Sequence, residues 1–296
     1  MRKHFKRMSK GDLAFNIFNI TGMILVCFVF IYPFLYVLSR SLMPEMERAV
    51  RPFALIPNSL DFSGYKLIFS KSSNVVNSYK VTIARAVVGT LMNLIFSTLS
   101  AYVISRKDYP AKNFLTFMMV FTMWFGGGLI PSYLVNRAYG LGNNFWVYIF
   151  PSLISPWNTL ILRNFFMAMP ESLEESAKID GASDMTVLVR IILPLSKASL
   201  ATIGLFYAVG HWNSWFDSML YMNDNKMWTL QYVLRQVLSS ASVGELVQDF
   251  GDANSKPPTE LVRMATIIAA TVPILCVYPF LQKYFVKGVM VGSIKG

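Results

Sequence analysis

The chain has 296 residues, 54% of them hydrophobic and only 15% charged, against roughly 25% charged in an ordinary soluble domain. A water-soluble fold of this length has no means of hiding so much apolar surface, so the bilayer is the expected solvent. The net charge of +11 comes without a basic stripe interleaved with aromatics, which sets nucleic-acid binding aside.

The basic opening MRKHFKRMSK leads into an apolar run from Leu13 to Leu38. A signal peptide has an apolar core of only ~7–15 residues and then a small-residue cleavage site; this run is longer and no such site follows, so it is expected to stay as a span. Five more candidate spans follow, at about 77–104, 113–135, 145–166, 198–222 and 261–284. Each is long enough for the ~30 Å hydrocarbon core at ~1.5 Å per residue. The predicted architecture is therefore all-α and polytopic: a cytoplasmic basic N-terminus at 1–12, then one six-helix membrane domain over 13–296. Both termini are expected in the cytoplasm. The short loop RKDYPAK (106–112) then lies inside, as the positive-inside rule prefers. Segments 39–76, 136–144 and 223–260 face out; the first and last also carry basic residues, but long loops weigh little in that rule.

Local features refine this plan. Pro33, Pro151, Pro156, Pro273 and Pro279 fall within spans, where they suggest kinks that line a cavity or serve packing alone. Gly126–Gly128 either unwinds the third span or lets another helix approach closely, the second being preferred. Trp157 and Asn158, beside Pro156, are read as packing residues. Cys27 and Cys276 read as small buried hydrophobes, with no disulfide framework. No internal repeat or low-complexity tract is visible.

Between the fourth and fifth spans the chain turns charged: EESAKIDGASDMTVLVRIILPL, Glu174 to Leu195. Acidic residues crowd the first turn of a helix over about 171–179, a favourable dipole arrangement. Asp180-Gly181 breaks it, glycine taking positive φ at low cost. A second helix begins near Ser183, with Met185, Leu188, Val189, Ile192 and Leu193 as its apolar stripe, and Pro194 ends the pattern. The residues alone leave an ordinary inter-span loop and a docking surface open.

The spacing Glu175-Ser176-Ala177, three residues, Gly181, nine residues, Ile191, one residue, Leu193-Pro194 resembles the "EAA" loop of bacterial ABC importer permeases, with Ser176 where the family usually has its first alanine. SLEESAKIDGA and RIILPLS are similar to the carbohydrate branch related to the second maltose permease subunit. GGGLIPSYL, WNTLILRNFF, HWNSWFDSMLYM and YFVKGVMVGSIKG resemble its oligo- and polysaccharide subgroup, which includes permeases for alginate and pectin-type fragments. The resemblance implies a type I ABC importer permease in a bacterial inner membrane, forming half of a translocation path. Its implied partners are a second, similar permease, two cytoplasmic ATPase subunits, an extracytoplasmic sugar-binding protein and a saccharide substrate. It also implies a coupling loop over 170–196 whose contact residues are Glu174, Glu175, Ser176, Ala177, Asp180, Gly181, Ala182, Leu193 and Pro194. Glu175 would pair with an ATPase arginine, and the cytoplasmic tail 285–296 would reach the ATPases.

The chain itself has no G-x-x-x-x-G-K-[ST] loop, so no cofactor is expected on it, and ATP and Mg would be bound by the partners. His4 and His211 are the only histidines and no Cys/His cluster has ligand spacing, so no metal site is expected. With no G-x-S-x-G elbow either, no catalytic residues are assigned. For a sugar path, Trp212, Trp215 and Phe216 share one face of a helix, with Asn213 and Asp217 stacked at i, i+4, and Asn93 as a further candidate. An aromatic belt at the outer interface is the competing reading of the same residues. Arg85 is better read as an ion-pair partner or a snorkelling cation than as a path residue. Rival functions are import of another small polar nutrient, an ion-coupled secondary transporter, or an assembly protein without a path. The second would want a midplane carboxylate and repeat symmetry, neither of which is evident.

Overall fold

The computed structural model describes residues 9–70, 73–239 and 259–293, with side chains for all of these except 259, 278 and 280–293. All regular structure among them is helical. Helix α1 (Lys10–Leu42) opens on a capping box in which Ser9 and Asp12 exchange side-chain-to-backbone bonds of 3.3 Å each. Short helices α2 (Glu45–Val50) and α3 (Ser63–Ile68) follow, then the long α4 (Asn74–Ser105). Next come α5 (Lys112–Trp124), α6 (Leu129–Ala138) and a 3₁₀ stretch over Phe145–Ser152. Helix α7 is Pro156–Met167, α8 is Ser172–Ile179 and α9 is Asp184–Leu195. The remaining elements are α10 (Lys197–Asn213), α11 (Phe216–Tyr221), α12 (Leu230–Leu238) and α13 (Thr259–Ser293).

Helices α1, α4 and Glu260–Val277 of α13 are each long and apolar enough to cross a bilayer; three bent pairs raise the count to as many as six spans. The bends are 118° between α5 and α6, 49° between the 3₁₀ stretch and α7, and 84° between α9 and α10. The first revises an expectation. Gly128 takes φ +87°, and an added Cβ at Gly126 or Gly128 would meet nothing within 4 Å, so the three glycines unwind the chain rather than admit a neighbouring helix. The fifth span is also not one helix: α10 stops at Asn213, Ser214 is extended, and α11 starts at Phe216. The last helix runs past the expected 284 to Ser293. Cys27 and Cys276 are exposed rather than buried, because in lipid an apolar run can face outward on any side. The basic segment 1–8 and residues 294–296 of the expected tail lie outside the described residues.

The chain forms two compact units, one of Met1–Ser70 with Val243–Ala269, the other of Lys71–Ser242 with Ala270–Gly296. In the first, buried Arg40 pairs with Glu260 (2.6 Å) and donates to the carbonyls of Arg48 and Pro52. Ser41 Oγ lies 2.6 Å from Tyr65 Oη, and burial pushes that phenol above its ordinary pKa against the opposing pull of this bond.

In the second unit, α4 is the spine. Its buried stripe of Ser78, Thr82, Arg85, Gly89, Asn93 and Ser97 repeats every three or four residues and is small and polar rather than apolar. That inversion suits a helix whose other faces meet hydrocarbon, since polar groups there must find partners inside the bundle. Towards its C-terminus α4 packs into an apolar cluster with Leu162, Phe166, Val187, Leu188 and Ile192; its N-terminal half, through Val81 and Val88, packs on Val147, Tyr148 and Tyr221. Gly89 sits between, and a Cβ there would collide with the His211 ring. Gly89→Val should therefore cost about 1–3 kcal/mol through overpacking and lower the melting temperature of the detergent-purified protein; an unchanged melt would show that α4 and α10 are further apart.

Candidate functional site

The charged loop folds by local rules. Helix α8 ends in a Schellman turn: Gly181 at φ +81° donates to the Lys178 carbonyl (3.0 Å), and Ala182 donates to that of Ala177 (2.9 Å). Ser183 then caps α9, its hydroxyl accepting from Thr186 N. The result is two short helices joined at a left-handed glycine. Glu175, Ser176, Ile179, Asp180 and Gly181 are exposed along the tip, and Glu175 makes no ion pair among the described residues. Ala177 and Ala182 are half-buried against the apolar cluster below. Leu193 packs there too, whereas Pro194 is exposed. A π turn over Leu188–Ile192 alters the expected stripe of α9: Val187, Leu188 and Ile192 face inward, while Met185 and Val189 are exposed.

Glu174 points the other way. It pairs with Arg106, at the end of α4, whose guanidinium also lies 3.8 Å from Asp184 and 3.6 Å from Asp108. Lys178 reaches Asp108 and Asp184, Lys107 pairs with Glu171, and Tyr102 Oη donates toward Glu174 at 3.3 Å. These groups, Asp184 apart, line a cavity of about 240 Å³. The arrangement ties both helices of the loop to the α4–α5 connection. The sequence offered a signal for it: the expected topology puts the short basic loop RKDYPAK on the same side as the charged segment.

Midway along α4 lies a second polar assembly. Arg85 Nη2 meets Asp217 Oδ2 at 2.5 Å, and its Nε donates to His211 Nδ1 at 3.4 Å. Because arginine can only donate, Nδ1 is the bare nitrogen, and Nε2–H donates to Asn93 Oδ1 at 2.6 Å. Asn93 Nδ2 in turn donates to the Ser152 and Leu153 carbonyls. The Arg85 guanidinium lies 4.6 Å from the centre of the Tyr148 ring. Tyr148 Oη donates to the Met227 carbonyl (2.7 Å), which leaves its oxygen to accept from Ser218 (2.6 Å). Two ionisable residues in apolar runs, Arg85 and Asp217, were the sequence's clue to this pair.

The expected path residues are thereby dispersed. The break at Ser214 means that Trp212, Trp215 and Phe216 do not share one helical face, and that Asn213 and Asp217 are not stacked at i, i+4. Asn213 followed by serine offers the backbone competing hydrogen bonds, and Thr229 Oγ1 donates to the freed Ser214 carbonyl at 3.1 Å. Asn93 is fully buried in the network. Trp212 lines an apolar groove of about 440 Å³ with Val87, Leu91, Leu205 and Val209, its indole N–H donating to the Ala270 carbonyl. Asn213 and Phe216 are exposed, and Trp215 carries the Arg235 guanidinium 3.8 Å from its ring centre.

Comparison with known proteins bears on all of this. The family model described as "Binding-protein-dependent transport system inner membrane component" matches residues 78–291. Protein LplC of Bacillus subtilis is 43% identical over 99% of both chains. The polygalacturonan/rhamnogalacturonan transport system permease protein YtcP of the same organism is 42% identical over 92% of this chain and 94% of its own. A chain from the crystal structure of a bacterial ABC transporter involved in the import of the acidic polysaccharide alginate superposes with a TM-score of 0.84 at 29% identity, covering 94% of this chain and 99% of that one.

The ion pair in the α4 network makes a stability prediction. Asp217→Ala leaves the Arg85 charge uncompensated inside the bundle and should cost about 3 kcal/mol. The double variant Arg85→Met/Asp217→Ala should melt closer to the wild-type temperature than Asp217→Ala alone. Strictly additive losses in detergent melts would show that the two charges are not coupled.

Proposed function

This chain belongs to the family of binding-protein-dependent transport system inner membrane components, and on that premise we propose that it is one permease half of an ATP-driven importer of oligo- and polysaccharides. The observation that carries the proposal is the helix–glycine–helix loop over Ser172–Leu195, whose tip around Glu175–Gly181 is exposed with Gly181 held at φ +81°. A second, similar permease completes the path, two cytoplasmic ATPases bind the ATP and Mg, and an extracytoplasmic binding protein delivers the saccharide. Both termini and the loop 170–196 lie in the cytoplasm, and the segments 39–76, 136–144 and 223–260 face outward. The names of two similar proteins speak of polygalacturonan and of alginate, which supports a cargo carrying uronate carboxylates. Glu175 and the small Ser176, Ala177 and Ala182 suit close docking into an ATPase cleft, with Glu175 supplying the charge. Glu174 instead holds the loop to α4.

Two outcomes test this. The purified complex should contain an ATPase and a second permease, whereas a chain that moves substrate alone would be a secondary transporter. Gly181→Val places a β-branched residue at positive φ, a conformation such residues avoid. It should lower binding-protein-stimulated ATP hydrolysis by about tenfold, equivalent to ~1.4 kcal/mol of coupling, while membrane insertion persists. Wild-type stimulation in that variant would remove the loop from the coupling role.

A further inference from the structure

The chemistry described so far leaves unused a cavity on the outward side of the second unit, about 240 Å³ in volume, lined by Tyr133, Arg137, Asn143, Tyr221 and Asn223. Its floor is built into the apolar cluster of Tyr148, Ile149 and Met222, so its shape is fixed by packing rather than by a loose loop. The Tyr133 and Tyr221 rings stack at 5.6 Å and 21°. Asn136 Nδ2 donates to Tyr221 Oη at 2.8 Å, locking that ring in place.

Arg137 lies along the same wall, its guanidinium 5.7 Å from the Tyr133 ring centre and Nη1 3.3 Å from Tyr133 Oη. It has no carboxylate within ion-pair distance among the described residues. Asn143 is the single non-glycine residue with positive φ among them, at 51°. Its side-chain oxygen accepts from the backbone N–H groups of Asn223 and Asp224 at 3.2 and 3.1 Å, and its own N–H donates to the Tyr221 carbonyl at 2.9 Å. The left-handed backbone, a conformation that asparagine tolerates in turns, is thus held from both sides, and Nδ2 is left as a donor.

The geometry points to a subsite for one uronate unit of the imported saccharide, with Arg137 as its carboxylate partner. The inference rests on the importer reading above and deepens it. Guanidinium N–H groups match a planar carboxylate in pairs, which an ammonium cannot do. Aromatic walls take the C–H faces of a pyranose ring, and the Asn143 and Asn223 amides offer donors and acceptors to hydroxyls. The cavity holds a single ring rather than a chain, so it would read one unit as the polymer enters. An acidic side chain of the docked binding protein is the competing occupant, but a concave, aromatic and amide-lined pocket fits a sugar ring better than a lone carboxylate arm.

The test uses the whole importer with its binding protein in proteoliposomes and two probes, trigalacturonate and its methyl ester. In Arg137→Gln the ratio of KM for the acid to KM for the ester should rise about tenfold, the size of one lost charge-assisted pair, and Arg137→Lys should recover part of it. An unchanged ratio overturns the subsite. So does a rise in the binding-protein concentration that half-stimulates ATP hydrolysis with the ratio unmoved, which would make the cavity a protein-docking point. A wild-type importer that moves neither probe overturns the galacturonate cargo on which the subsite rests, and does so without any variant.

Discussion

A guanidinium buried inside the helix bundle is the constraint around which the second unit is built. Arg85 is 3% exposed, and desolvating its charge is tolerable only because Asp217, His211 and the Tyr148 ring all face it. Each of those partners is fixed by a further bond. His211 is held by Asn93, Asn93 by two carbonyls of the 3₁₀ stretch, and Tyr148 by Ser218 and Met227. The chain of obligations draws α4, α10, α11 and the segment before α7 to one point. Polar groups with no water to turn to specify the packing more narrowly than interchangeable leucines would.

The same reasoning explains where helices stop. Where a span must bend, its freed carbonyls need donors, and the chain supplies them locally. Thr229 Oγ1 serves the Ser214 carbonyl at 3.1 Å, where the fifth span breaks. Prolines contribute less than their number suggests. Pro156 occupies the first turn of α7, where its missing N–H costs nothing, and Pro33 sits inside an uninterrupted α1.

Span positions, the charged helix–glycine–helix loop and its left-handed glycine were legible in the sequence because each depends on composition or on residues close together in the chain. Hydropathy averaged over a window passed straight through the breaks at Gly126–Gly128 and Ser214, since the flanking residues are apolar on both sides. The inward face of α9 carries Val187, Leu188 and Ile192 rather than Met185 and Val189, and a π turn over Leu188–Ile192 changes the hydrogen-bond register there, which no composition records. Adjacent glutamates offered no hint that Glu174 turns toward Arg106 while Glu175 stays exposed. The cavity at Tyr133 was hidden for another reason: it joins residues some eighty positions apart, Tyr133 with Tyr221 and Asn143 with Asn223. Distance in sequence, not weakness of the chemistry, concealed it.

The ion cluster around Arg106 gives α4 a mechanical role. The helix is clamped to α8 and α9 at one end, and Arg85 sits 21 residues back along it, roughly 30 Å away at helical rise. A helix is stiff along its axis and has no proline or break over that length. A displacement of the loop must therefore either rupture several ion pairs at once or drag the whole rod. A lever of that kind carries movement along its length with little loss. Its length includes the point where the buried guanidinium, the broken fifth span and the 3₁₀ carbonyls all meet.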